Sequence, residues 1–99
     1  MLVKLNTMME QECAKVFADR VDPDGVKSFW IGLSDLQETN RWIWTDGSDT
    51  IFTNWNKGEP NNPDTEHCAY MYGSNNVRKW NNIKCDNSRF AICQKQSLN

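Results

Sequence analysis

The sequence predicts an α+β domain on three observations. A capped amphipathic helix stands near the start, short apolar runs separated by turns follow it, and the middle of the chain is crowded with Asn, Asp, Gly and Pro. Residues 2–5, Leu-Val-Lys-Leu, read as a short strand. Thr7-Met-Met-Glu10 is then a capping box, in which the Thr hydroxyl accepts from a first-turn amide and the Glu reaches back to the entering chain. Met9, Cys13, Val16, Phe17 and Val21 recur at helical spacing until Asp22-Pro-Asp-Gly25 ends the helix, so this face, Cys13 included, is expected against the core. Short strands are predicted at 29–33, 42–44, 51–52, 68–72 and 90–94, with a frayed tail at 95–99.

The chain has 99 residues, enough for a single domain spanning 1–99. Its 11 Lys+Arg against 13 Asp+Glu leave a formal charge of -2 without a basic cluster, which removes the electrostatic reason to expect nucleic acid. No apolar run approaches the roughly 18 residues of a membrane helix, and the first residues lack the apolar stretch of a secretory leader. Membrane insertion by this chain is therefore not expected. Five Trp, 4 Phe and 2 Tyr supply enough large apolar side chains for a folded core despite a hydrophobic fraction of 38%.

Cys13, Cys68, Cys85 and Cys93 in so small a loop-rich chain suggest one or two disulfides and an oxidising, extracellular setting. Zinc fits poorly, because no close Cys pair exists and His67 is the only histidine. His67 adjoins Cys68, but adjacency along the chain is not the spatial pairing a thiol enzyme needs, and a surface-loop role is expected for it.

The stretch 40–85 holds Thr45-Asp-Gly-Ser48, Asn54-Trp-Asn56 and Gly58-Glu-Pro-Asn-Asn-Pro63. Such long loops, interleaved with Trp42, Trp44, Trp55 and Trp80, read as ordered and functional. Within them Glu59, Asn61 and Glu66 flank Pro60 and Pro63, and Asn81-Asn82 follow Trp80. All five offer side-chain oxygen, the donor that a hard cation such as Ca2+ prefers. Pairing Glu59 with Glu66 as a glycosidase would require a carboxyl in an apolar pocket, and these loops are polar, so no enzyme is expected.

In order along the chain, these residues resemble the C-type lectin-like family over 2–94. The matching pieces are Leu2-Val3 with Thr7-Met-Met-Glu-Gln11, Trp30-Ile-Gly-Leu33, Trp42-Ile-Trp44 with Asp46-Gly47, and Asn54-Trp55. They continue through Glu59-Pro-Asn61, Glu66-His-Cys68, Trp80-Asn81 with Cys85, and Phe90-Ala-Ile-Cys93. The resemblance implies short antiparallel strands, a helix and a long irregular calcium-binding loop region. It implies one Ca2+ site built from Glu59, Asn61, Glu66, Asn81 and Asn82, with a cis Pro60 that positions its neighbours. It further implies a Cys68–Cys85 disulfide. In this family Glu-Pro-Asn goes with mannose, fucose or N-acetylglucosamine, so the implied function is calcium-dependent binding of mannose-type glycans or glycoproteins through Glu59, Asn61, Glu66 and Asn81. The alternative is a protein-interaction domain of the same family with weak or no calcium and sugar binding.

Two departures from the family pattern bear on this reading. Asn82 replaces the carboxylate of the family's Trp-Asn-Asp, removing one negative charge from the cation site. The second calcium site of some members would fall on Asp35, Thr39, Asn62, Glu66 and His67, and with two carboxylates among the five it is expected to be absent. The family's first strand and first helix, which carries the usual partner of Cys93, precede Leu2, so the domain is expected to be N-terminally incomplete relative to the family. Cys13 is then an inert buried thiol, a substitute partner for Cys93, or the mark of a rearranged N-terminus. An open edge around Cys93 is expected to favour self-association.

Overall fold

Thr7 starts the helix as predicted: its hydroxyl accepts from the Glu10 amide at 3.0 Å, and the Glu10 carboxylate accepts from the Asn6 amide at 2.8 Å. The structure, a computed structural model, describes residues 1–73 and 77–93; Gln94 and the predicted tail lie outside them. Helix α1 runs Met8–Val21. Strands β1 (Phe29–Ser34), β2 (Ile43–Trp44), β3 (Cys68–Met71), β4 (Trp80–Ile83) and β5 (Phe90–Ala91) form one sheet. Its order is β2-β1-β3-β4, antiparallel throughout, while β5 pairs parallel to β1.

The helix turns a different face inward from the one its apolar pattern predicts. Met9 is 76% and Val16 56% exposed, and Phe17, Val21 and Cys13 are exposed as well, whereas Gln11, Ala14 and Ala18 are buried. Cys13 therefore does not face the core, and the buried-thiol reading is corrected. The physical reason is a polar key at each end of the helix. Gln11 Oε1 accepts from the Trp80 indole at 2.9 Å while its Nε2 donates to the Arg78 carbonyl at 3.1 Å. Beyond the other end, Arg78 is fully buried between Asp19 and Asp22, its Nε 3.0 Å from Asp19 and an Nη1 3.2 Å from Asp22. Ala14 and Ala18, having almost no side chain, let the helix lie close to the sheet between these two ties.

Three strand assignments change. Ile51 and Phe52 form no strand, because their amides donate to the Asn6 side chain at 2.8 and 3.3 Å instead of to a neighbouring strand. Trp80–Ile83, unassigned from sequence, is β4, with Trp80 and Asn82 buried on alternate positions. Leu2 makes only an isolated bridge, to Cys93, and Val3 donates to Ile92 O at 2.9 Å. Val3 O in turn accepts from Gly32 at 2.8 Å; a Cβ on Gly32 would sit 3.0 Å from Leu2 O, so glycine is what permits this close approach.

Trp80, wholly buried, anchors the core beneath the loops. It meets Trp44 and Trp55 edge-on at 5.6 Å and Phe52 at 6.0 Å. Each such pair adds about 0.5–1.5 kcal/mol beyond area burial. Leu5, Ile31, Leu33, Ala69 and Met71 complete the packing around it.

Phe90, Ala91 and Cys93 are exposed, so the last strand keeps an apolar flank and an accessible thiol. We propose that the chain self-associates through this edge. Light scattering with non-reducing peptide mapping is expected to show dimers or larger species joined through Cys93. A stable monomer with Cys93 free, or bridged to Cys13 within one chain, contradicts this.

Candidate functional site

The loop that carries Glu59 and Asn61 is fixed at its root by β4. Trp80 donates its amide to Asn54 O at 2.9 Å and accepts from the Asn56 amide at 2.8 Å, so the chain on either side of Trp55 is held to the strand. Glu59 then closes a turn onto Asn56 O at 3.0 Å, past Gly58 at φ 83°. The Glu59–Pro60 bond is cis, as the resemblance implied. A second turn centres on Asn62, whose carbonyl accepts from Thr65 and Glu66 at 3.1 and 3.0 Å, and the chain enters β3 at Cys68. The implied disulfide is present: Cys68 is bonded to Cys85.

Four of the five expected residues meet at Asn82, Asn61 and Glu66 through their main chain and Glu59 through its carboxylate. Asn82, only 4% exposed, accepts at Oδ1 from the Asn61 amide at 2.9 Å. Its Nδ2 donates to Asn61 O at 2.5 Å and Glu66 O at 2.9 Å, and its backbone amide approaches Glu59 Oε1 at 3.4 Å. Asn81, opposite Tyr70 in the sheet, is the fifth; its Oδ1 is buried with no hydrogen-bond partner. Burial raises the Glu59 carboxyl above its ordinary value, the Asn82 amide offsets part of this, and the nearby Glu66 charge raises it further. The polar look of the loop in sequence concealed this half-burial.

His67, expected as a surface-loop residue, lies in the loop just before β3, half-buried and with a partner. Its Nδ1 lies 2.8 Å from Asp35 Oδ1, and the other Asp35 oxygen accepts from the Asn40 amide at 2.8 Å. Asp35 is buried, with both oxygens engaged inside the protein. The two residues stand 32 positions apart, too far for local sequence reasoning to join them.

A profile of the "Lectin C-type domain" matches residues 1–95. The chain belongs to the C-type lectin family. It is 44% identical over 71 residues to a "C-type lectin" of Micrurus corallinus, covering 71% of this chain and 45% of that protein. It is 36% identical over 84 residues to a "C-type lectin mannose-binding isoform" of Oxyuranus scutellatus, covering 84% of this chain and 52% of the relative. Among solved structures, the mouse scavenger receptor C-type lectin carbohydrate-recognition domain superposes with a TM-score of 0.79 at 31% identity, over 99% of this chain and 72% of that one. This chain thus spans about half the length of these curated relatives.

C-type lectins are in general calcium-dependent binding modules rather than enzymes. The residues here suit a hard cation in one respect and limit it in another. Glu59 and Glu66 repel one another, neither makes an ion pair among the described residues, and the orphaned Asn81 oxygen lacks a donor or cation. Yet no three carboxylate, imidazole or thiol groups gather at one point among the described residues, so amide oxygens must complete any shell. No helix among the described residues is long and apolar enough to cross a membrane.

Proposed function

We propose that this lectin domain is an extracellular, non-enzymatic module that binds mannose-type glycans, among them mannose, fucose and N-acetylglucosamine, with one calcium ion. The carrying observation is the gathering of Glu59, Asn61 and Glu66 around Asn82, where the Glu66 charge adds to burial in raising the Glu59 carboxyl, while the next strand residue, Asn81, keeps a buried side-chain oxygen without a partner. Glu59, Asn61, Glu66 and Asn81 would hold the ion, with the Asn82 carboxamide tying the loop behind them. When bound, calcium supplies a Lewis-acidic centre on which two adjacent sugar hydroxyls can replace water.

The side chains then sort hydroxyls by hydrogen-bond polarity. A free Glu59 oxygen accepts a hydroxyl proton, and the Asn61 amide donates to a hydroxyl oxygen. The name of the mannose-binding relative supports this sugar class, and the Cys68–Cys85 bond supports an oxidising compartment. A second reading, a protein-interaction domain with weak calcium binding, is favoured by Asn82, which brings no charge to the site.

The sugar reading is tested by exchanging the two polarities together, Glu59→Gln with Asn61→Asp. Because a hydrogen bond to a charged group is worth about 1.5–3 kcal/mol, preference should move from mannose toward galactose by on the order of tenfold or more. A glycan array run in calcium chloride reads it. An unaltered preference overturns the assigned roles of Glu59 and Asn61.

A further inference from the structure

Among the described residues, the hydrogen bonds that tie 59–66 to the sheet end on Asn82. A carboxamide has two donors and one acceptor group, and all are engaged: the two N–H groups on Asn61 O and Glu66 O, and Oδ1 on the Asn61 amide. The partners also fix which end is which, since a backbone amide only donates and a carbonyl only accepts. The two carbonyls are oxygen atoms that would otherwise need a cation or water in front of them. Asn82 meets them with hydrogen, from a strand position 4% exposed.

We propose that Asn82 is a positioning residue that takes over a cation's organising role, holding the 59–66 loop in its ligand-ready form when no metal is bound. An aspartate at this position has no hydrogen to give. It would face two carbonyls with a negative charge, so the loop would lose these ties and open in the absence of a cation. Asn82 thus exchanges one unit of site charge for metal-independent order, so cation binding spends little on ordering the loop. The calcium arm rests on the ligand reading above, whereas the loop arm stands without it.

Hydrogen exchange of 57–67 tests this in the whole chain, with EDTA or calcium chloride as the only difference. The wild-type loop is expected to stay protected in EDTA, changing less than about twofold on calcium addition, because its ties are internal. Asn82→Asp is expected to exchange at least about tenfold faster in EDTA, to regain protection in calcium, and to bind calcium more tightly than wild type. Asn82→Ala, which removes the ties without adding charge, should lose protection without that gain in affinity. A wild-type loop unprotected in EDTA overturns the proposal, as does Asn82→Asp or Asn82→Ala retaining full protection there. Failure of mannose binding would leave these exchange results unchanged, so the two readings fail separately.

Discussion

Replacing Arg78 with methionine is expected to lower the free energy of unfolding by about 3–5 kcal/mol, a large part of what a small domain possesses. The guanidinium is wholly buried, donates to Asp19, to Asp22 and to the carbonyls of Asp22, Lys27 and Tyr72, and lies 5.4 Å from the Phe29 ring centroid. Methionine fills much of the volume but returns none of the donors, leaving buried Asp22 with only the Val26 and Lys27 amides. Acid has a related effect. Hydrogen bonding from Lys15 and Arg78 holds Asp19 below its ordinary value, and at Asp22 the Lys27 and Val26 amides with Arg78 outweigh the opposing effect of burial. Groups lowered in this way contribute stability in full above the unfolded aspartate value near 4, and lose it as pH falls through the native value. Urea unfolding at pH 7 and again near pH 3 should therefore show a wild-type loss in acid that is smaller in Arg78→Met. A variant within about 1 kcal/mol of wild type at pH 7 contradicts the placement of Arg78.

Much of this architecture can be read locally, and what cannot depends on distant partners. The helix ends are legible because capping uses residues within one turn, Thr7 with Glu10 and the Asp22-Pro-Asp-Gly25 stop. Its inward face is not, because Gln11 finds Trp80 and Arg78 across 69 and 67 positions, and such ties outrank the apolar stripe. Strand β4 escapes a propensity reading because two of its four residues are asparagine, a poor strand former kept there by pairing with β3. Ile51 and Phe52 mislead in the opposite sense, being apolar but bonded to the Asn6 side chain. At the site, Glu59, Asn61 and Glu66 are legible as a short oxygen-rich segment. The engagement of Asn82 is not, since nothing in its neighbours along the chain shows the two carbonyls it meets.

Removing calcium is expected to abolish glycan binding altogether. A sugar hydroxyl gives up strong hydration to bind, and an open, shallow loop can compensate only with charge-assisted contacts. Without the ion, Glu59 and Glu66 repel each other and the Asn81 oxygen has no partner, so the carboxylates alone give no net attraction for a diol. Isothermal calorimetry is the most direct measurement: calcium chloride titrated into the chelator-treated domain, then mannose titrated with and without calcium. A single calcium event is expected, with mannose heat only in its presence and tighter calcium binding when mannose is already there, since linkage is reciprocal. Mannose binding that persists in EDTA, or calcium and mannose that bind without affecting each other, would contradict calcium-dependent glycan binding.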